Sequence, residues 1–260
     1  MRENRFELPY RNPAVDAHRS NAMNNVALIT GASRGLGKTI ATFLAGRGDD
    51  LILTARGAED LAATAHELSA YGGRVIALAG DVSDPAHIGR LVAAAQELGR
   101  LDLLINNASI LGPSPQPALA DYPLETLEQV FAVNVLAPLG LIQVTLPLLK
   151  ASHGSVINIS SDAAVGGYPG WGGYGASKAA LDLISLTLAN ELRDEGVAVI
   201  AVDPGDMRTQ MHQSAFPGED ISDRPLPEIT LPFWAWLLGQ DRQSISGRRF
   251  QAQAEVWLAA

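Results

Sequence analysis

The chain has 260 residues, 47% of them hydrophobic, with a formal net charge of −9. That length and apolar content fit one soluble α/β domain with a large core, and the acidic balance argues against nucleic-acid and anionic-membrane partners, which favour basic surfaces. There is no cysteine, and the five histidines form no cluster with metal-ligand spacing, so disulfide, thiolate and metal chemistry are not expected.

Residues 1–23 read as an N-terminal extension to a single domain over 24–260. The first twenty are polar and of mixed charge with no apolar stretch, so no secretory signal is expected and the cytoplasm is the expected location. Val26 to Thr30 is an apolar run of strand length. It is followed by Gly31-Ala32-Ser33-Arg34-Gly35-Leu36-Gly37 and a helical pattern from Thr39 to Leu44. Strand, glycine turn and helix in that order suit a pyrophosphate. Gly31, Gly35 and Gly37 let the backbone turn tightly and approach it, and its charge sits at the helix N-terminus among unpaired N–H groups. Gly37-Lys38-Thr39 imitates the end of a nucleoside-triphosphate P-loop. That motif needs a glycine where Ala32 stands.

Leu51 to Thr54 and Val75 to Ala79 read as the second and third strands, with a helix from Glu59 to Ala70 between them. Asp84-Pro85 opens the next helix, an acidic cap with proline in the first turn, and it runs to Leu98 before a strand at Leu101 to Ile105. Leu124 to Leu149 reads as the next helix, and its longest apolar run, Val130 to Leu149, is interrupted by Asn134, Pro138, Gln143 and Pro147. It therefore reads as a buried helix, not a membrane span. Ser155 to Ser160, Tyr174 to Arg193 and Val197 to Val202 continue the alternation, which predicts a Rossmann-type, doubly wound parallel sheet with helices on both faces.

Tyr174 and Lys178 stand four residues apart on the helix from Tyr174, hence on one face, with Ser161 upstream just past a strand end. A phenol ordinarily has a pKa of about 10, and a cation within a few ångströms lowers it by roughly 1–3 units, which would bring Tyr174 towards proton exchange near neutral pH. Asn134 lies within an apolar helix, where an amide is costly unless hydrogen-bonded; a buried structural amide and a functional one both fit.

Thr30 to Gly37 in the pattern T-G-x-x-x-G-x-G, Asp81-Val82, Asn106-Asn107-Ala108, Asn134, Ser161, Tyr174 with Lys178, and Pro204-Gly205 with Thr209 follow one another in a single order. In this the chain resembles the short-chain dehydrogenase/reductase family from about Val26 to Thr209. The resemblance implies that Ser161 hydrogen-bonds a carbonyl oxygen, Tyr174 donates the proton, Lys178 binds the nicotinamide ribose and depresses the phenol pKa, and Asn134 holds a relay water. It implies a dinucleotide held by Gly31, Ser33, Arg34, Gly35, Leu36 and Gly37, with Asp81 and Val82 at the adenine. Asn107, Ala108, Pro204, Gly205 and Thr209 complete that site. Ser109 stands where the family's Asn-Asn-Ala-Gly segment ends in glycine, and Asp81, Asn106 and Asn107 also suit plain turn or strand-end roles. Arg249 to Gln253 resembles the family's last strand without its usual Asp-Gly-Gly ending.

The second strand ends Thr54-Ala55-Arg56, without the carboxylate that binds a ribose 2′-hydroxyl. Arg34 and Arg56 can grip a 2′-phosphate, so NADP(H) is the expected cofactor; the alternative is that both are simply solvated. The substrate loop is expected over about 205–230, with Met207, Met211, Tyr168 and Trp171 as pocket-lining candidates. Phe233, Trp234 and Trp236 fit either a cover for that pocket or core and subunit contacts.

Two functions follow as expectations: an NADP(H)-dependent carbonyl reductase, or alcohol dehydrogenase in reverse, acting on a small molecule, and a non-catalytic NADP(H)-binding sensor on the same fold. A homo-oligomer, tetramer or dimer, is expected because the helices Leu124 to Leu149 and Tyr174 to Arg193 carry apolar residues on more than one face, as with Leu181, Leu183, Ile184, Leu186 and Leu188.

Overall fold

The computed structural model describes residues 24–258, so the expected extension over residues 1–23 lies outside the described residues. Seven strands form one parallel sheet: β1 Val26–Thr30, β2 Asp50–Ala55, β3 Val75–Ala79, β4 Leu103–Asn106, β5 Ser155–Ile159, β6 Ala198–Asp203 and β7 Arg249–Gln251. Their order across the sheet is β3-β2-β1-β4-β5-β6-β7. The chain therefore reverses direction between β1 and β4, the switch point at which such sheets bind ligands.

The strands are apolar on both faces because both are covered. Along β1, Ala27 and Ile29 point into one core with α1 Gly35–Gly46, α2 Ala58–Ser69 and α8 Leu231–Leu237. Val26 and Leu28 point into the other, with α3 Pro85–Leu98 and α5 Ala137–Ser152. A strand buried on both sides reads as a continuous apolar run, and burying each Leu or Ile side chain contributes about 1.5–3 kcal/mol. The remaining helices are α4 Leu124–Phe131, α6 Gly172–Glu191, α7 Gln210–Ala215 and α9 Arg242–Ile245.

Some expected boundaries move for local reasons. Asp102 stands just before β4: its N–H donates to the Val26 carbonyl and its carbonyl accepts the Ser155 N–H, both at 2.9 Å, while its carboxylate accepts the Val26 N–H at 2.9 Å and the Arg100 guanidinium at 2.8 and 2.6 Å. The helix expected from Leu124 to Leu149 is broken by a wide π turn at Ala132–Leu136 between α4 and α5. Pro138 lacks the N–H that would close the ordinary helical bond to the Asn134 carbonyl, so a change of hydrogen-bond register falls where the sequence demands one. This helical run is long and apolar enough to cross a membrane, yet Leu141, Ile142 and Leu149 pack into the sheet core.

The aromatic segment after the expected substrate loop belongs to the core. Phe233 and Trp234 have no exposed surface, the Phe233 ring lies 6.0 Å from Phe250 and 5.4 Å from Trp257, and the Trp234 indole donates to Thr230 Oγ1 at 3.0 Å. Of its two expected roles, covering the pocket is the one the structure rejects. Its position under β7 also means that it does not cover the outer faces of α5 and α6. Val144 on α5 and Leu183 and Leu186 on α6 are exposed at 46%, 65% and 47%, whereas Leu181 is buried.

Candidate active site

At the switch point the chain leaves β1 through Gly31 and Gly35, both with left-handed φ of +68° and +53°. Gly37 admits no side chain: a Cβ there would stand 2.2 Å from the Gly31 carbonyl oxygen and 2.5 Å from Asn107 Nδ2. α1 then begins with no side-chain cap and no acidic residue in its first turn, so its leading N–H groups remain open to an anion. These features fit a dinucleotide pyrophosphate. Leu36 is buried below the turn, Ser33 is half-buried and Arg34 is exposed.

The flanking strand ends are tied together. Thr30 Oγ1 accepts the N–H groups of Asn107 and Ala108, both at 2.9 Å, and Asn107 Nδ2 donates to Thr30 O at 2.9 Å and Gly31 O at 3.1 Å. Thr209, which caps α7, comes within 3.5 Å of the position a Gly35 Cβ would take. Gly205 (φ +74°) donates its N–H to Asp203 Oδ1 at 3.0 Å, and Gln253 Nε2 donates to Pro204 O at 3.0 Å. Asp81 accepts from Ser83 twice, and those bonds, with the nearby Arg56 charge, hold its carboxyl below the usual range. Val82 is half-buried and Arg56 is exposed.

The side chains expected to be catalytic meet one strand further on. Ser161 follows β5; its hydroxyl donates to Asp162 Oδ1 at 3.0 Å and accepts the Ala163 N–H at 3.2 Å. Tyr174, in the first turn of α6, is buried. Burial pushes its phenol well above the usual tyrosine range, while hydrogen bonding with Ser109 and Ser161 pulls the other way. Lys178 is 2% exposed; its ammonium donates to the Ile159 carbonyl at 2.8 Å and lies 5.6 Å from the Tyr174 ring centroid. Burial lowers it to about 8. The expected depression of the phenol by Lys178 is thus corrected. The ammonium faces the ring and a carbonyl, and burial is the largest influence on the hydroxyl.

Asn134 is buried and fully satisfied through its side chain. Oδ1 accepts from Ser109 Oγ at 3.0 Å and Ile110 N at 2.9 Å; Nδ2 donates to Ile110 O at 2.9 Å and Ser177 Oγ at 3.0 Å. Its amide therefore braces the segment after β4 against α6, and a water at this residue would have to use the main-chain carbonyl that Pro138 leaves without its helical donor. Asn106 is likewise internal, donating to Asn158 Oδ1 at 2.8 Å.

Trp171 meets Tyr174 edge-on at 5.9 Å and Phe216 at 6.0 Å, which forms an aromatic wall beside the phenol. Tyr168 and Met211 are exposed near the same mouth, at 48% and 36%. Met207 is a correction to the expected lining residues: it is 7% exposed and packed in the core with the β1 face of the sheet. Sequence reasoning also missed Ser109, Ser177 and Arg249. The substitution of serine for the expected glycine at 109 was a usable signal; the other two act through long-range contacts that no local pattern announces.

A glycine turn at the switch point, with a serine hydroxyl, a phenol and an ammonium at the same sheet edge, defines an oxidoreductase. The chain belongs to the short-chain dehydrogenase/reductase family, whose model for short chain dehydrogenase matches residues 25–220. It is similar to a rhamnolipid-biosynthesis 3-oxoacyl-[acyl-carrier-protein] reductase of Pseudomonas aeruginosa, 42% identical over 72% of this chain and 74% of that one. It is also similar to 2-(R)-hydroxypropyl-CoM dehydrogenase of Xanthobacter autotrophicus, 34% identical over 80% and 84%. A solved short chain dehydrogenase structure from Shigella flexneri, in complex with NADP, superposes with a TM-score of 0.81 at 32% identity, covering 89% of this chain and 99% of that one.

Proposed function

We propose that this protein is an NADP(H)-dependent oxidoreductase that interconverts a small ketone or aldehyde and its alcohol, with Tyr174 as the general acid/base. The observation that carries this reading is the buried Tyr174 phenol, set between the Ser109 and Ser161 hydroxyls with the Lys178 ammonium against its ring. The two named relatives act on a 3-oxoacyl and a 2-hydroxypropyl group, a ketone and a secondary alcohol.

A bound nicotinamide supplies the hydride acceptor or donor. In reduction, Ser161 holds the carbonyl oxygen by a hydrogen bond and Tyr174 gives that oxygen its hydroxyl proton; in oxidation the phenolate takes it back. Lys178 would hold the nicotinamide ribose, while Trp171 and Phe216 exclude water from the acceptor face and favour an apolar substituent. A panel of ketones, aldehydes and secondary alcohols, followed by NADPH absorbance, tests the reading. Turnover of none of them by a protein that binds NADPH would favour a sensor.

The cofactor preference rests on Arg34 and Arg56, both exposed at the switch-point edge, with no carboxylate directly after Thr54. Replacing both by glutamine is expected to weaken NADPH by about 10- to 100-fold, the loss of one or two charge-assisted bonds, and to leave NADH little changed. Titrating both nucleotides into both proteins measures this, and an unchanged ratio would make the arginines bystanders.

The protein is also proposed to self-associate as a dimer or tetramer through α5 and α6, whose exposed Val144, Leu183 and Leu186 are uncovered by any described segment. Sedimentation at low micromolar concentration is expected to show a species larger than the 27.5 kDa chain. Leu183→Glu with Leu186→Glu is expected to reduce it to the monomer.

A further inference from the structure

The final strand carries a guanidinium into the back of the active site. Arg249 on β7 donates from Nε to Asp182 Oδ2 at 2.9 Å, and from Nη2 to Ser161 O at 2.7 Å and Asp203 Oδ2 at 3.2 Å. Its three acceptors lie on α6, just past β5 and at the end of β6, so one side chain from the sheet edge ties three elements together. Each acceptor adjoins working machinery: Ser161 bears the hydroxyl beside the phenol, Asp203 precedes the Pro204-Gly205 turn, and Asp182 lies one helical turn beyond Lys178. The side chains are exposed by only 25% for Arg249, 16% for Asp182 and 4% for Asp203, so their charges act through little solvent.

We propose that Arg249 is a positioning residue of this active site: it fixes the Ser161 main chain and supplies the positive charge that offsets Asp182 and Asp203 behind the Tyr174–Lys178 pair. This role rests on the reading of Tyr174 and Lys178 given above and adds a residue that acts through Ser161, Asp182 and Asp203.

The charges around the pair come from every neighbouring element. Asp182 lies on α6 itself, Asp162 follows β5, Asp203 ends β6 and Arg249 stands on β7; Asp206, further along, faces Tyr168. Burial first, and then Asp203 and Asp162, push the phenol up; burial lowers Lys178 to about 8, and Asp182 opposes that. Without the Arg249 charge, the carboxylates stand unopposed. The ammonium is then favoured and the phenolate disfavoured, so both groups titrate at higher pH.

The chain has three lysines, Lys38, Lys150 and Lys178, so Lys178 can be followed by NMR with isotope-labelled lysine in the whole protein. The other two sit in surface ion pairs with Glu67 and Glu195. In Arg249→Met the Lys178 titration is expected to rise by about one unit, and in Arg249→Lys, which keeps the charge but loses the fork, to return most of the way. Arg249→Gln keeps a donor for the Ser161 carbonyl and serves as the neutral variant if the methionine one does not fold. A folded neutral variant whose Lys178 titrates as in the wild type overturns the proposal; so does a lysine variant displaced as far as the neutral one. A purely structural role would lower thermal stability without moving this titration. The measurement uses no substrate, so it fails or succeeds apart from the oxidoreductase reading, which turnover by Tyr174→Phe decides.

Discussion

Tyr174→Phe is expected to lower turnover by about 10²–10⁴-fold while leaving NADPH binding intact. The substitution removes one oxygen and keeps the ring that packs edge-on against Trp171 and under the Lys178 ammonium. The fold therefore has little reason to change. Ser109 and Ser161 lose a shared partner, but both hydroxyls keep other bonds, to Asn134 and Asp162 respectively. Single-turnover rates with a substrate found in the ketone and alcohol panel measure the loss. Wild-type rates in the variant would remove Tyr174 from the chemistry.

Gly37→Ala is expected to be the most damaging change of a single methyl group in the nucleotide turn. The added carbon would meet the Gly31 carbonyl oxygen at 2.2 Å and Asn107 Nδ2 at 2.5 Å, and one of these belongs to the backbone. The turn must open, at a cost of about 1–3 kcal/mol for an overpacked site, and the α1 N–H groups shift away from their anion. NADPH affinity should fall by about 10- to 100-fold, in step with that strain, and the melting temperature should drop. Fluorescence titration and a thermal melt check both, and unchanged affinity would show that the turn relaxes without consequence.

Much of the fold was legible because its signals are local. A strand buried on both faces announces itself as an unbroken apolar run such as Val26 to Thr30, and Asp84-Pro85 marks a helix start that the structure confirms, with Asp84 accepting the Ala86 N–H at 2.9 Å. The positions of Ser161, Tyr174 and Lys178 were legible for the same reason: spacing along a helix and past a strand fixes which side chains share an edge. Their electrostatics were not. Whether Lys178 faces the phenol oxygen or the ring depends on the Ile159 carbonyl, and the height of the phenol pKa depends on total burial. Met207 and Arg249 escaped for a related reason, since each has its place decided by contacts with segments far away in the chain, and the same contacts decided between the two readings of Trp234. In composition Met207 and Met211 are alike; one packs in the core and the other is partly exposed near the cleft.

The Thr30–Asn107 clasp has a thermodynamic consequence for ligand capture. Four hydrogen bonds of 2.9 to 3.1 Å join the ends of β1 and β4, and all of them are made within the protein itself. The width of the crevice is therefore set at folding, and a dinucleotide arriving there does not have to immobilise two loose strand ends. Less conformational entropy is lost in the encounter, which leaves more of the phosphate contact energy to appear as affinity. Thr30→Val keeps the side-chain shape but strands the Asn107 and Ala108 N–H groups, so it transfers that ordering from the folding step to the binding step.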